Sequence, residues 1–496
     1  MQIIDDFLNN ITMYRLALYC LIFFLAVAAI LSFFNVLPFN LLSLLFSVAI
    51  LVVICSITNR IFAKVFNVPT NVESIYITAL ILALVITPIK NTHEITFFIW
   101  VAILAMVSKY ILAINKKHIF NPAALAIFLT AIIINQSASW WVGTLWMAPV
   151  SLVGGLLIVR KIRKFSLVLS FFCVTLIIIL GNVFLKGGNV LSSAQNLILD
   201  TPILFFAFIM LTEPQTTPPT RKKQVIYGGL VGLLFTLTPE PALLIGNIFS
   251  YLVSPKERFV LKLKEKIRIA KDTYDFVFGL EKKLSYLPGQ YMEWTLGHSN
   301  PDSRGNRRFF TVASSPTEDN LRIGVKFCPE PSSFKQTLLG MDSNDKIIAS
   351  QLAGDFTLPK DLNKKLVFMA GGIGITPFRS MIKYLLDTRE RRDIVLLYSN
   401  KTIEDIAYKV ILDKAGNDLG IKIIYVLTDA KNIPAKWEGK IGPIDEQMIR
   451  QIVQDYFKRI FYISGSHSMV TAFEKSLKNM GISGSQIKVD FFPGYA

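Results

Sequence analysis

Cysteine is scarce in this chain: its 496 residues hold four, Cys20, Cys55, Cys173 and Cys328, far apart and none in a C-x-x-C pair. That excludes a cysteine-ligated iron-sulfur cluster and a zinc knuckle within the chain. Histidine is as rare, also at four. A transmembrane haem takes axial imidazoles from inside the helices. Here His93 and His118 fall at the ends of hydrophobic blocks, while His298 and His467 lie in the polar second half. No haem and no metal site are predicted. The opening MQIIDDFLNN carries Asp5 and Asp6 where a secretory signal carries basic residues, so a cleaved leader is not expected. No internal repeat and no low-complexity tail is visible.

Charge is missing from the first half. From Tyr14 to Val253 the sequence runs as hydrophobic blocks with short polar breaks; from Lys256 onward charges are dense, which puts a boundary near Ser254. With 52% hydrophobic residues and 37 Phe, the chain is too apolar to be wholly soluble. The blocks are 14–34, 39–58, 72–89, 95–114, 119–135, 140–159, 165–185, 197–212, 225–238 and 241–253. A helix needs about 20 apolar residues to cross a hydrocarbon layer of roughly 30 Å, so the first seven are adequate and the last three short. Arg60 and Lys64, Lys116 and Lys117, Arg160 to Lys164, and Arg221 to Lys223 occupy every second loop; the loops between hold only Lys90 and Lys186. Basic loops collect on the cytoplasmic side. The expectation is ten spans in the plasma (inner) membrane, with both termini and the polar half cytoplasmic. The net charge of +17 then reads as topology and attraction to membrane lipid, not as nucleic-acid binding.

The polar half has two textures. Between Phe259 and Leu352 short alternating segments such as FVLKLKEKIRI, YDFVFGL and LRIGVKF are separated by turn residues, the pattern of a small antiparallel barrel. From Leu366, strands LVFMA, IVLLYS, IKIIYVLTD, RIFYISG and IKVDFF have helical stretches between several of them, which argues for a parallel, nucleotide-binding sheet. The predicted architecture is therefore a polytopic α-helical domain over 1–254, an antiparallel β-barrel over 255–361 and an α/β parallel-sheet domain over 362–496.

The first turn of the second sheet is AGGIGITP, where Gly371, Gly372 and Gly374 let backbone approach a phosphate. Thr376 is expected to cap the next helix and Pro377 to take its first position, pointing free N–H groups at an anion. An ordinary strand-to-helix corner reads the same way. The stretch RRFFTVASSP at 307–316 narrows the choice: Arg308 offers charge-assisted bonds to a diphosphate, Phe310 a face for a flat ring system, and Thr311 a hydroxyl for a ring nitrogen.

With these two stretches in this order and spacing, residues 256–496 resemble the ferredoxin-NADP reductase superfamily, whose barrel carries Arg-x-Tyr-Ser/Thr for FAD and whose second domain carries Gly-Gly-x-Gly-x-Thr-Pro. PGQY at 288–291 resembles its barrel loop. By the same resemblance Ser333 and Lys335 of SSFKQTLL belong to a second FAD-phosphate loop, and Gly354 and Phe356 of GDFTLP to the turn before the nucleotide domain. Ser464, Gly465 and Met469 of SGSHSM stand where the family has Cys-Gly-x-x-x-Met, and DFF at 490–492 where it has Glu-x-Tyr. Three departures are evident: Phe310 for Tyr, Ser464 for the Cys on the hydride path, and Phe492 for the terminal ring-covering Tyr. Tyr495 is a second candidate for that cover. The resemblance implies FAD as cofactor, NADH or NADPH as substrate, and Thr311, Ser464 and Phe492 as catalytic positions. Ser399, Asn400 and Lys401 offer a hydroxyl and a cation to a 2′-phosphate, and the choice of nucleotide stays open.

The hydrophobic half has phrases of its own. NVESIYITALILALVITP at 71–88, HIFNPAALAIFL at 118–129 and the run from Phe206 to Leu234 resemble the D subunit of Rnf complexes and the B subunit of sodium-pumping NADH:quinone reductases. Asn121-Pro122-Ala123, and Thr212-Glu213-Pro214 with Thr216, Thr217 and Thr220, carry the likeness. That family attaches FMN to the last Thr of a Ser/Thr-x-Ala/Ser-Thr motif. Here the corresponding loop is NQSASWW, and no threonine of the hydrophobic half follows Ala or Ser, so covalent FMN is not expected and any second flavin is noncovalent. Glu73, Lys109, Asp200 and Glu213 near or within spans are candidates for quinone, flavin or ion contact.

The reading is a membrane-bound NAD(P)H dehydrogenase whose FAD passes electrons to a quinone or noncovalent flavin in or across the membrane, with further electron-transport subunits open as partners. The alternatives are an ion-translocating or transporter module driven or regulated by a fused flavin reductase, and a cytosolic flavin reductase anchored by its helices.

Overall fold

Two compositions give two backbone solutions. The computed structural model describes residues 7–8, 11–66, 72–114, 117–254, 258–298, 301–302, 305–431 and 433–490; Phe492 and Tyr495 lie outside them. It divides into Met1–Lys256 and Glu257–Ala496.

The first unit is helical: α1 (Met13–Phe33), α2 (Leu41–Phe66), α3 (Val72–Val85), α4 (Glu94–Ile111), α5 (Pro122–Ile133), α6 (Ala148–Ile162), α7 (Phe165–Leu185), α8 (Val190–Leu199), α9 (Ile203–Phe205) continued by a π turn (Phe206–Met210), α10 (Arg221–Phe235) and α11 (Pro239–Val253). Among the described residues α1, α2, α4 and α7 are long and apolar enough to cross a membrane, with a fifth if the 63° break between α8 and the α9 segment lies within one span. The count of ten is not reproduced by helix length. At 1.5 Å per residue the 14-residue α3 reaches about 21 Å, short of a hydrocarbon layer.

Burial explains the short segments. Every residue of α3 from Thr78 to Val85 is buried, as are Pro122–Ile127 of α5 and Phe206–Met210 of the π turn. By contrast α1, α2 and α7 expose large apolar side chains, including Phe23, Phe33, Leu42, Val53, Ile177 and Leu185. The long helices thus keep apolar side chains exposed while the short ones bury theirs. Broken backbone is tolerated where protein supplies the missing partners. At the end of α3, Val85 O accepts from Trp140 N at 2.7 Å. The tightest seam is α7 against α10, where a methyl on Gly228 would lie 2.4 Å from Leu167 O and one on Gly232 2.7 Å from Phe171 O. This four-residue spacing of glycines lets two backbones touch.

The second unit opens with β1 (Phe259–Ala270), β2 (Thr273–Gly279), β3 (Tyr291–Thr295), β4 (Arg307–Thr311), β5 (Asn320–Lys326), α12 (Ser333–Gly340) and β6 (Lys346–Ala353). Its strands form one antiparallel sheet in the order β4-β3-β6-β1-β2-β5. Just past β4, Ala313 N donates to Arg322 O in β5 at 2.8 Å and brings the two edges together. Alternate residues from all six strands fill one core around Trp294, Phe276 and Phe278.

Then come β7 (Lys365–Gly371), α13 (Thr376–Thr388), β8 (Ile394–Asn400), α14 (Lys409–Leu419), β9 (Lys422–Leu427), β10 (Lys440–Ile441), α15 (Glu446–Ile452), β11 (Arg459–Ser464), α16 (His467–Asn479) and β12 (Ile487–Asp490). All six strands run parallel in the order β10-β9-β8-β7-β11-β12. Leu366, Phe368 and Ala370 of β7 face a core with α13 and α14, while Val367 and Met369 face a second core with α15 and α16. A strand covered on both sides must be apolar at every position, which is why LVFMA shows no alternation. The strand order reverses at β7, so the carboxyl ends of β7 and β11 form a crevice.

Candidate active site

Strand β4 delivers the first group of residues. Phe310 is half-buried, its ring 6.0 Å from that of Phe334 at the start of α12. Arg308, 6% exposed, sits over the same Phe334 ring at 5.2 Å and donates through Nη1 to Arg307 O at 2.7 Å and Gly305 O at 3.2 Å. Ser332 caps α12 by accepting from Lys335 N at 3.4 Å. Ser333 N donates to Asp302 Oδ2 at 3.0 Å, and Ser333 Oγ accepts from Asp302 N at 2.9 Å. His298 Nε2 lies 3.0 Å from the same hydroxyl. The N-terminus of α12 therefore holds an anion already, the Asp302 carboxylate, beside a guanidinium and next to an aromatic face. That donor set fits a diphosphate attached to a flat ring system.

Other members of the predicted FAD set have structural posts. Lys335 Nζ donates to Lys326 O at 2.9 Å, tying α12 to β5. Gly354 has φ +113°, which suits glycine. Phe356 is buried in the core of the parallel-sheet domain, its ring 5.1 Å from that of Tyr462 and 5.7 Å from that of Phe378.

On the parallel sheet, the glycines of AGGIGITP divide the work. A methyl on Gly371 would lie 2.1 Å from Met469 Sδ and one on Gly374 2.4 Å from Ser464 O, while one on Gly465 would meet Met469 Cε at 2.3 Å. These three glycines let the turn after β7 and the turn after β11 touch. Gly372, with φ +52°, has nothing within 4 Å on that side. It is the open position, where backbone can meet a ligand. The expected cap at Thr376 is not formed: residues Gly372–Ile375 wind as a 3-10 turn straight into α13, leaving no extended residue to serve as a cap. Thr376 is the first residue of the helix, its Oγ1 donating to Ile373 O at 3.2 Å, and Pro377 follows it. Ser399 pairs in register with Gly371, one strand over.

The two domains of this unit meet at the predicted catalytic positions. Thr311 Oγ1 donates to Asp490 Oδ2 at 3.4 Å, and Asp490 pairs in register with Ser464. All three are buried, at 5%, 8% and 4% exposure. Asp490 is the group the sequence reading left unassigned, although it begins DFF, and its contact with Thr311 spans 179 residues of chain.

A buried charge network holds this junction. Arg379 on α13 pairs with Glu318 and donates to Ala313 O at 2.9 Å. Tyr408 OH donates to Asp275 Oδ1 at 2.9 Å, and Arg322 Nη1 to Asp275 Oδ2 at 3.0 Å. Burial alone would raise the Glu318 carboxyl, but hydrogen bonding and charge from Arg379 hold it below its usual value. Burial pushes Asp275 up, against the pull of Arg379, Arg322 and Tyr408.

In the helical unit the candidate charges find partners. Glu73 pairs with Arg15 at 3.4 Å, and Glu213 with His118 at 3.3 Å. Lys109 Nζ donates to Thr78 Oγ1 at 2.9 Å, Ser74 O at 3.0 Å and Ser74 Oγ at 3.1 Å. Asp200 is exposed at the end of α8. Asn121 caps α5 through Ala124 N at 3.1 Å, while its own N–H donates to Asn247 Oδ1 at 2.8 Å.

Residues 368–475 match the oxidoreductase NAD-binding domain family. The chain is also 28% identical over 240 residues to a flavohemoprotein of Bacillus subtilis, covering 47% of this chain and 58% of that one. It is 26% identical over 251 residues to NADH-cytochrome b5 reductase 1 of Ajellomyces capsulatus, covering 48% and 80%. Among solved structures, the cytochrome b5 reductase domain of Ulva prolifera nitrate reductase is similar with TM-score 0.42 and 24% identity, covering 48% of this chain and 98% of that one. The second unit is thus a ferredoxin-NADP reductase-like FAD- and NAD-binding module, of the FAD-dependent NAD(P)H oxidoreductase type. The chain spans a little over half the length of the flavohemoprotein it matches.

Proposed function

We propose that the chain is a membrane-bound NAD(P)H dehydrogenase that passes electrons through FAD to an acceptor in or across the membrane, a quinone or a noncovalent flavin. The observation that carries the reading is the buried cluster of Thr311, Asp490 and Ser464, with the open glycine turn at Gly372 on the strand beside Ser464 and an anion-holding helix end at Ser333 elsewhere in the same unit. When bound, FAD and the nicotinamide supply hydride chemistry and the release of electrons singly or in pairs. The chain supplies the rest. Arg308 and the α12 N-terminus would neutralise the FAD diphosphate, with Asp302 yielding its place. Phe310 would pack against the ring, and Thr311 would set its hydroxyl toward a ring nitrogen while Asp490 fixes its rotamer. Met469 would close over the glycine turn and exclude water.

The helical unit, with four helices of spanning length among the described residues and the sequence likeness to the Rnf D and Nqr B subunits, would be the electron-accepting half. It would sit in the plasma (inner) membrane with the reductase module cytoplasmic, in contact with lipid and open to further electron-transport subunits. Any flavin there would be noncovalent. Reconstitution in liposomes tests this: NADH oxidation should speed up on adding a quinone, and flavin should run free of the polypeptide on a denaturing gel. Oxidation indifferent to every membrane acceptor would reduce the helices to an anchor. Flavin retained on the gel would refute the noncovalent assignment.

A further inference from the structure

We propose that Arg379 and Ser380, on the first turns of α13, are positioning residues that set how closely the nucleotide turn stands to the flavin side of the module, and so how fast hydride passes. The proposal rests on the reading of the module as a nicotinamide-dependent flavin reductase.

Both sides of that reaction are carried by backbone. The nucleotide side is the turn through Gly372, which winds into α13 at Thr376. The flavin side is β4, which ends at Thr311. β4 belongs to the antiparallel sheet and the turn to the parallel one, so their separation is fixed by contacts across the seam between the two.

Arg379 lies one turn into the helix, about 4.5 Å along its axis from Thr376. Its side chain is buried. Nη1 donates to Ala313 O at 2.9 Å, just past Thr311, and also to Glu318 Oε2, while Nη2 donates to Glu318 Oε1 at 2.9 Å. Glu318 is itself held, since its Oε2 accepts from Ser315 N at 2.7 Å. The adjacent Ser380 donates its hydroxyl to Ser314 O at 2.6 Å. Consecutive carbonyls just past the flavin strand are thus tied to consecutive residues just past the nucleotide turn. β5 makes room for this approach at Gly324, where a methyl would lie 2.8 Å from Thr376 Cγ2 and 2.5 Å from the Tyr408 hydroxyl.

Stability alone does not call for this arrangement. A buried ion pair is often no more stabilising than apolar residues of the same volume. What a guanidinium adds is direction: its planar fork meets a carboxylate in one geometry, whereas a lysine would make a single, swivelling contact. Hydride transfer rewards direction, because reacting atoms must stand about 3–3.5 Å apart and a misplacement of about 1 Å costs roughly a hundredfold in rate. Both side chains bond protein carbonyls and a carboxylate, so they act on the reaction through the backbone they join.

The test uses purified full-length holoprotein, mixed rapidly and anaerobically with NADH or NADPH, whichever reduces the parent faster. Flavin reduction is followed together with the long-wavelength absorbance of nicotinamide stacked on flavin. Arg379→Lys should lower the limiting rate about tenfold to a hundredfold and weaken that band, while flavin content and the KM for the nucleotide stay near those of the parent. Ser380→Ala is milder, since Ser314 O keeps the Tyr286 hydroxyl at 2.9 Å, and should lower the rate about threefold. Asp455→Asn, which removes an ion pair elsewhere in the same domain, should lower stability and leave rate and band unaltered. An Arg379→Lys protein with the parent's rate and band would overturn the proposal. So would a rate that falls only in step with lost flavin, or that falls equally in Asp455→Asn. Should Arg379→Lys fail to fold, an unchanged rate in Ser380→Ala overturns it. A parent whose flavin neither nucleotide reduces would fail the reductase reading itself, and this proposal with it.

Discussion

At the scale of single residues, the account turns on where charge and hydrogen bonds are held before any ligand arrives. Arg308 is buried and oriented by two carbonyls, so its guanidinium is a fixed cation beside the α12 N-terminus. Arg308→Ala should cut the flavin retained through purification by about tenfold or more, since charge-assisted bonds to a diphosphate are among the strongest available. Flavin absorbance per mole of protein checks it; an unchanged ratio removes Arg308 from the site. Thr311→Val should leave flavin content intact and slow its reduction by about tenfold to a hundredfold, because the variant keeps the shape and loses the hydroxyl. What the sequence displayed at this scale was residue type in a local frame: Arg308, Phe310 and Thr311 lie on one strand, and Gly372 on one turn. It could not display Asp490 meeting Thr311, or Asp302 seated on Ser333, because those contacts join segments separated in the chain. The same holds for Phe356, whose ring neighbours Phe378 and Tyr462 lie further along the chain.

At the scale of elements, periodicity was legible and helix length was not. The uninterrupted apolar run LVFMA became β7, covered on both faces, and the alternating segments became the antiparallel sheet. Hydrophobic blocks were helical, yet hydropathy counts apolar residues without saying where a helix must stop. α3 ends at Val85, its terminal carbonyls taken by Trp140 N and Val142 N, and the block at 197–212 breaks into segments bent by 63°. The α7 and α10 seam gives a sharp contrast between adjacent glycines. Gly228→Ala should destabilise the protein by about 1–3 kcal/mol, because its methyl meets a backbone oxygen that cannot step aside. Gly229→Ala should be neutral or stabilising, since its methyl would find Ser170 Oγ at 3.5 Å and Val174 Cγ2 at 3.6 Å, ordinary contacts. Thermal unfolding of the two variants in detergent decides it; equal loss in both would mean the seam is not as close as described.

At the scale of the whole molecule, ion pairs of the reductase module set its acid stability. Hydrogen bonds from Arg459 and Lys365 and their charges hold Asp455 down at about 2. A carboxylate depressed from about 3.9 contributes stability that is fully present above that value and is lost as pH falls toward the folded one. Glu318, held low by Arg379, acts in the same direction, while Asp275, raised by burial, gains as it protonates and offsets part of the loss. Asp455→Asn should therefore flatten the fall in stability between about pH 4 and 2 and lower stability at neutral pH. Chemical denaturation across pH reads this; an unaltered acid limb would show that the Asp455 pairs contribute nothing. The two halves of the chain, each legible in composition alone, acquire a joint purpose only if electrons pass between them. The most direct measurement is an anaerobic titration of the full-length protein in liposomes, following the flavin absorption band. Reduced nicotinamide should bleach the band, and a membrane-soluble quinone should restore it. A preparation without flavin colour, or a band that no reduced nicotinamide bleaches, would contradict the account.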